Sequence, residues 1–282
     1  MTGKETVRAD VSEAYTRALD HQAPAAGCCG PVQKGVAAKV AGYQAEQLGE
    51  LPPDAVSNSF GCGDPVAFSG VREGDVVLDL GCGAGIDILL AAKKVGPTGR
   101  VIGVDMTDAM LEKARTNIEA SGLTNVEVRR GIIEELPVAD GSVDWLISNC
   151  VINLSPDKPR VFTEIARVLK PGGRMLVSDI VVQDLPEWVR ENKALYQSCV
   201  AGAISEADYL AGLGRAGLTD AMVQDRIEYD ASQIAAIIES DVLNGDRACG
   251  TLGRVTQDGI HAMAESLQGK VQSVRIAARK PG

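Results

Sequence analysis

Cysteine supplies most of the chemistry visible in this chain. Seven are present, at positions 28, 29, 62, 82, 150, 199 and 249, and only the first two are neighbours. No C-x-x-C pair and no Cys/His spacing of the zinc type occurs, so a structural metal site is disfavoured. Three cysteines sit in distinctive segments: Cys62 in "SFGCGDP", Cys150 in "SNCVINL" and Cys199 in "LYQSCVAGA". Thiolates prefer soft centres, and a thiol of ordinary pKa, about 8.5, becomes a ligand when the bound centre expels its proton. Three thiols from distant segments suit a trivalent pyramidal centre, which adjacent residues of one strand cannot encircle. Read singly, each could as well be a small apolar packing residue. Cys82, squeezed between glycines, reads as structural, and Cys249 as packing or an incidental thiol.

A second constellation is the run "VVLDLGCGAG", with Asp79, Gly81, Gly83 and Gly85 at a strand end that opens a helix. Glycines allow a tight turn and close backbone approach to a ligand. A dinucleotide fingerprint needs G-x-G-x-x-G, and Ile86 stands where the last glycine should be, which argues against NAD. Twenty residues beyond Gly85, Asp105 ends "VIGVDM", where a carboxylate can accept hydrogen bonds from both ribose hydroxyls. A glycine turn without a pyrophosphate cradle, followed by a ribose carboxylate, suits a mononucleoside with a short charged tail, and S-adenosylmethionine fits that description. The competing reading makes the glycines a plain strand-helix turn and Asp105 a helix cap.

Methyl transfer is an in-line displacement at carbon, and its acceptor needs a lone pair about 3 to 3.5 Å from the methyl. Oxygen and nitrogen acceptors often need a base, yet only His21 and His261 are present and neither lies in a recognised motif. Arsenic(III) bound to sulfur keeps a lone pair and needs no deprotonation, which joins the two constellations.

Positioning these groups requires a scaffold. The runs "VVLDLGCGAG", "RVIGVDM", "NVEVRR", "VDWLISN" and "RMLVSDIV" read as strands, separated by helical patterns "IDILLAAKKVG", "DAMLEKARTNIEASG" and "RVFTEIARVLKPGG". Such alternation predicts an α/β, doubly wound Rossmann-like sheet covered on both faces. Ligands then bind outside the carboxyl ends of the strands, where "DWLISNC" delivers Asn149 and Cys150. Thr107 is placed to cap the second helix, Gly122 to terminate it, and "KPGG" at 170–173 to end the third. Residues 1–58 read as an N-terminal thiol-bearing extension with a helix near Val7 to Leu19, 59–185 as the cofactor-binding domain, and 186–282 as a smaller substrate-side lobe. The last unit completes the sheet with strands at "MVQDRIEYD" and "VQSVRIAARK".

With 38 acidic against 28 basic residues the net charge is -10, and no basic block stands out, so nucleic acid and anionic membrane are disfavoured as partners. No signal peptide or spanning segment is visible, which predicts a cytoplasmic protein whose cysteines stay reduced, as ligands or nucleophiles rather than disulfide partners.

"DLGCGAG", "GVDM", "GIIEELP" and "LKPGG" resemble the successive motifs of class I S-adenosylmethionine-dependent methyltransferases over residues 70–182. The resemblance implies that Asp79, Gly81, Gly83 and Gly85 surround the methionine portion, Asp105 holds the ribose and Met106 packs on the adenine. Ile133 and Glu134 border the ring's other edge. Ile132 stands where many of these enzymes carry an acid, so the adenine amino contact falls to backbone or to Glu134. The segments around Cys62, Cys150 and Cys199, with "NCVINLSPDK", are similar to arsenite S-adenosylmethionine methyltransferases from about residue 58 to 215. By that likeness these three cysteines bind arsenite or arsenite-thiol complexes and serve methylation, Cys150 and Cys199 nearest the cofactor. Cys28 or Cys29 matches the family's N-terminal cysteine, and Phe60 replaces the tyrosine of "YGCG". A reductant such as glutathione or thioredoxin would restore the resting thiols. Two alternatives stay open: a methyltransferase of the same fold acting on a small organic oxygen, nitrogen or carbon, and a non-catalytic arsenite binder.

Overall fold

The computed structural model describes residues 3–20, 43–59, 61, 63–64, 66, 70–197, 199–235 and 257–282. Helix α1 (Gly3–Asp20) opens the chain and is followed by helical turns at Ala45–Gly49 and Pro53–Ser57. The alternation then runs β1 (Val76–Leu80), α2 (Ile86–Val95), β2 (Arg100–Asp105), α3 (Asp108–Ser121), β3 (Val126–Arg130), β4 (Val143–Asn149), α4 (Lys158–Val168) and β5 (Leu169–Val182). Helical turns at Glu187–Arg190 and Lys193–Gln197 lead to α5 (Glu206–Arg215), β6 (Thr219–Glu228), α6 (Gln257–Leu267) and β7 (Val271–Arg279).

All seven strands form one sheet in the order β3-β2-β1-β4-β5-β7-β6. Strands β1 to β5 pair in parallel, and β7 runs antiparallel to both β5 and β6. The expected doubly wound sheet is therefore present, and the last part of the chain completes it. The order reverses at β1, which pairs with β2 on one side and β4 on the other, so a crevice opens at the carboxyl ends of these strands.

Strand β1 shows why the sheet is buried on both faces. Leu78 and Leu80 join a core with Val104, Leu146, Phe162 and Ile165, while Val77 packs into a second core with Leu89, Val95 and Val101. The side-chain period of two sends alternate residues to opposite layers. Each such aliphatic, fully buried, contributes about 1.5–3 kcal/mol. Gly212 lets α5 approach α4, because a Cβ there would lie 2.5 Å from a Phe162 ring carbon.

Gly122 ends α3 at φ 69° with its N–H on the Glu119 carbonyl, as expected. Thr107 is the N-cap residue but its side chain makes no capping bond; its own N–H goes to Asp105 Oδ1 at 2.8 Å. Helix α4 stops sooner than the sequence suggested. Leu169 already pairs with Val143 in the sheet, so "KPGG" lies inside β5 instead of ending the helix. Pro171 has no N–H to extend a helix, and Gly172 turns at φ 78° with its N–H on Lys280. Among the described residues no helix is long and apolar enough to cross a membrane.

Candidate active site

A cleft of about 930 Å³, partly open to solvent, lies at the switch point. The turns after β1, β2, β3 and β4 line it, and α1 adds Arg8, Val11 and Tyr15.

The glycine turn divides into positions the protein needs and positions it leaves open. Gly81 adopts φ 69°, and a Cβ on it would lie 2.2 Å from a Val151 methyl. Gly83 adopts φ 51°, yet a Cβ there would meet nothing within 4 Å, so this backbone faces free space in the cleft. Gly85, at φ 102°, is the N-cap of α2. Cys82 also contributes to the lining, but its sulfur packs on Gly103, where a Cβ would sit 2.8 Å from it. Burial pushes its thiol pKa well up, which fits the structural role expected for it.

Asp105 lines the cleft with Oδ2 accepting from the Gly83 N–H (3.0 Å) and Oδ1 from the Thr107 N–H (2.8 Å). The Thr107 side chain and the Met106 backbone also donate to this carboxylate, which stands at the cleft wall as an acceptor held by its own turn. Burial raises its pKa while these backbone donors oppose the rise. Asp79 does not line the cleft; it lies behind the turn, 2% exposed, with Oδ1 lacking any hydrogen-bond partner among the described residues. Desolvation, followed by the Asp87 and Asp105 charges, pushes its pKa well up. Met106, Ile133 and Glu134 line the cleft as expected. The Glu134 carboxylate is already engaged, accepting from Ser155 Oγ (2.7 Å) and pairing with Arg8 of α1 (3.2 Å).

Asn149 also lines the cleft, but its amide is tied to Tyr43, Gly63 and Asp87. Tyr43, Asp87 and the covering face of α1 were missed by sequence reasoning. Asp87 did leave a signal, an acid within the otherwise apolar "GIDILLAA" just after the glycine turn. Burial raises its pKa to about 7, against hydrogen bonds from Asn149 and Tyr43 that favour the carboxylate. Tyr43 left none; burial and then the Asp87 charge push its pKa well up.

On the opposite side stand two of the three predicted arsenic ligands. Cys150 lines the cleft at φ 58°, with its N–H on the Ser178 carbonyl at 2.8 Å. Cys199 adopts φ 66°, is 3% exposed, and donates from Sγ to the Cys150 carbonyl oxygen at 2.6 Å. Only four described non-glycine residues have positive φ, and these two are among them. A β-carbon in that region costs roughly 1–3 kcal/mol, which surrounding structure must hold in place. Part of that structure is Lys158, which donates to the Asn153 and Ser155 carbonyls at 3.1 Å each, and Tyr196, whose hydroxyl donates to Leu154 O at 3.1 Å. Burial lowers the Lys158 pKa; burial, with the Cys199 charge, lifts that of Tyr196 to about 12.

Two expectations are corrected. Cys150 is disulfide-bonded, not a reduced thiol, whereas Cys82 and Cys199 keep their thiols. Disulfide pairing follows from which segments meet in three dimensions, and no local spacing announces it. Cys199 touches Cys150 but is not among the residues that line the cleft. Cys28, Cys29, Cys62, Phe60 and Cys249 lie outside the described residues.

Residues 72–234 match the family described as "Methyltransferase domain". The chain is 46% identical over 192 residues to the arsenite methyltransferase of Halobacterium salinarum, covering 68% of this chain and 49% of that protein. It is 40% identical over 188 residues to the arsenite methyltransferase of Aquipseudomonas alcaligenes, covering 64% and 54%. The chain thus spans about half the length of the curated relatives it matches. Among solved structures it resembles an arsenic(III) S-adenosylmethionine methyltransferase from Chlamydomonas reinhardtii, with a TM-score of 0.60, 35% identity, and 88% of this chain and 73% of that one covered.

Proposed function

This chain belongs to the methyltransferase-domain family and, within it, to the arsenite S-adenosylmethionine methyltransferases, and from that premise we propose that it methylates trivalent arsenic with S-adenosylmethionine. The observation that carries the reading is the meeting of the thiols with the cleft, where Cys150 lines the same cavity as the glycine turn and Asp105, and the Cys199 thiol rests on the Cys150 backbone at 2.6 Å.

The residues present fit the cofactor. Gly83 presents backbone to open space, the Asp105 carboxylate lines the cleft beside it, and the buried Asp79 Oδ1 lacks a partner among the described residues. Asp105 would accept the ribose hydroxyls, Met106 and Ile133 would flank the adenine, and Asp79 with Asp87 supply negative charge at the methionine end. When bound, the cofactor supplies a methyl carbon activated by its sulfonium. Arg8, Val11 and Tyr15 of α1 cover the cleft, and excluding water strengthens every charge interaction inside it.

The substrate side acts through sulfur. Arsenite exchanges its hydroxyls for thiolates, each As–S bond releasing water as the thiol proton joins the departing hydroxide. The arsenic lone pair remains and attacks without a general base, which agrees with the lack of a described histidine in the cleft lining. Because Cys150 stands in a disulfide, two electrons and two protons must reach it before it can ligate. A thiol reductant such as glutathione or thioredoxin, in a cytoplasmic setting, fills that role. Cys62 and one of Cys28 and Cys29 complete the ligand set in this reading.

The test is direct. Purified protein, arsenite, S-adenosylmethionine and glutathione are incubated and the arsenic species separated by chromatography. Methylated arsenicals are expected. Recovery of inorganic arsenic alone, with the cofactor bound normally, would overturn the proposal.

A further inference from the structure

One side-chain amide spans the two sides of the cleft. Asn149, the last residue of β4, donates from Nδ2 to the Gly63 carbonyl (2.6 Å), the Tyr43 hydroxyl (2.9 Å) and Asp87 Oδ2 (3.2 Å). Its Oδ1 accepts from the Gly63 N–H at 3.1 Å. The Tyr43 hydroxyl in turn donates to Asp87 Oδ1 at 2.8 Å, which closes a ring of Asn149, Tyr43 and Asp87. Two amide hydrogens therefore serve three acceptors, so the orientation of the amide depends on what Asp87 and Tyr43 offer it.

The glycines that flank Cys62 in sequence are seated on this network. A Cβ on Gly61 would lie 2.1 Å from Asn149 Nδ2, and one on Gly63 would lie 2.4 Å from Ser178 Oγ in β5. Backbone alone fits at both positions, so any reorientation of the Asn149 amide is felt by this segment. At the other end, Asp87 lines the cleft beside the glycine turn.

We propose that Asp87 and Tyr43 are positioning residues that orient the Asn149 amide, so that occupation of the cofactor side of the cleft sets the placement of the Gly61–Gly63 segment. The inference rests on the cofactor reading given above. An ionised Asp87 accepts from Tyr43 and Asn149 together, whereas its protonated form must itself donate at one oxygen, which reverses one bond of the ring and changes what the Asn149 amide is offered. A cationic ligand group arriving near Asp87 holds it ionised. The groups facing Asp87 are Tyr43, Asn149 of β4, Asp79 of β1 and Asp64; the two aspartates favour the protonated form, and burial keeps the proton on until about pH 7. Coupling should therefore be present at pH 8 and weak at pH 6.

The experiment compares the full chain with Tyr43→Phe and Asp87→Asn, all reduced with a phosphine. Calorimetry gives the affinity for S-adenosylhomocysteine, and peptide mass spectrometry gives the rate of Cys62 alkylation by iodoacetamide with and without saturating S-adenosylhomocysteine. In the wild type at pH 8 the ligand is expected to change the Cys62 rate by about 5-fold or more, the lower end of ordinary site-to-site coupling, with the ratio approaching one at pH 6. Tyr43→Phe is expected to bind the ligand yet show a ratio near one at both pH values; Asp87→Asn, which also loses a charge at the methionine end, is expected to bind it more weakly and, at saturating ligand, to show the same ratio near one. A purely structural role would alter the rate with and without ligand alike and leave the ratio at its wild-type value. A wild-type ratio in the variants, or a ratio of one in the ligand-bound wild type, overturns the inference and leaves the cofactor reading standing. Absence of S-adenosylhomocysteine binding by the wild type overturns both. Tyr43→Phe removes a single oxygen and decides the matter if Asp87→Asn does not fold.

Discussion

Along one side of the cleft, Gly81, Gly83, Gly85, Asp105 and Met106 come from two consecutive strand-helix turns. Along the other, Cys150 lines the cleft and is met by Cys199, a residue outside the lining that comes from a segment 49 residues away, through a 2.6 Å contact. On the first side the positive-φ positions are glycines, which adopt that backbone freely; on the second they are cysteines, which do not. A nucleoside site can be assembled from local turns because glycine supplies the conformation. A thiol site must keep its side chains, so neighbouring structure has to impose the strain. Two buried carboxylates have pKa values that burial raises to about 7: Asp87 beside the glycine turn, and Asp179 of β5, which accepts from Asn153 and Tyr209.

The sharpest division of labour should come from the thiols. Cys199→Ser and Cys150→Ser are each expected to lower arsenic methylation by ~100-fold or more, since an acceptor that is lost or displaced forfeits in-line alignment. S-adenosylhomocysteine affinity, measured by calorimetry, should stay within ~2-fold if the two sides are energetically separate. A matching loss of cofactor affinity would erase the distinction.

Gly81 and Gly83 sharpen it within one turn. Gly81→Ala places a methyl group against Val151 in a left-handed position and should cost about 3 kcal/mol in urea unfolding. Gly83→Ala meets no protein atom, so only the backbone cost of about 1–2 kcal/mol is expected, together with a ~10-fold loss of S-adenosylhomocysteine affinity. Unchanged ligand affinity in Gly83→Ala would show that the open side of the turn is not where the nucleoside lies.

The two buried carboxylates, one in the cleft and one behind it, give a common pH signature. Asp87 and Asp179 have folded-state pKa values near 7, above the unfolded value of about 3.9. Between those limits the native state holds protons the unfolded chain has released, so stability contributed by the protonated carboxyls is fully present below about pH 4 and is lost as pH rises to about 7. Asp87→Asn and Asp179→Asn should each flatten this decline in denaturant midpoints recorded from pH 4 to 8. A steeper decline in either variant would contradict the burial argument. The smallest effect is expected at the exposed pair Lys4–Asp157, 2.6 Å apart, which joins α1 to the N-cap of α4; Lys4→Ala should change stability by about 0.5 kcal/mol or less.

The legible parts of the sequence share a physical property. The five parallel strands and the helices between them were readable because a strand buried on both faces must be a short, almost wholly apolar run, as "VVLDL" is. Strand β7 was visible from its β-branched and apolar residues, while β6 is a largely exposed edge strand that has no such apolar run. The end of α4 was misplaced because Leu169 and Lys170 suit a helix locally, and pairing of Leu169 with Val143 overrides that preference. Asp105 and the glycines were readable from spacing along one chain segment. Tyr43 and the cleft-facing residues of α1 were not, since their partners lie far along the sequence: Tyr43 meets Asp87 44 positions on, and Arg8 meets Glu134 126 positions on.

Alternation of apolar runs and helical patterns, the glycine turn, the following carboxylate and the three cysteine-bearing segments are properties of the sequence alone, because each depends on residues within a few positions of one another. Whether Cys199 stands in the cleft or behind Cys150, whether Cys150 carries a proton or a disulfide, and which groups hold Asn149 were decided by the folded chain. Those outcomes depend on burial and on close approach between distant segments, and neither quantity exists until the sheet has closed its two cores.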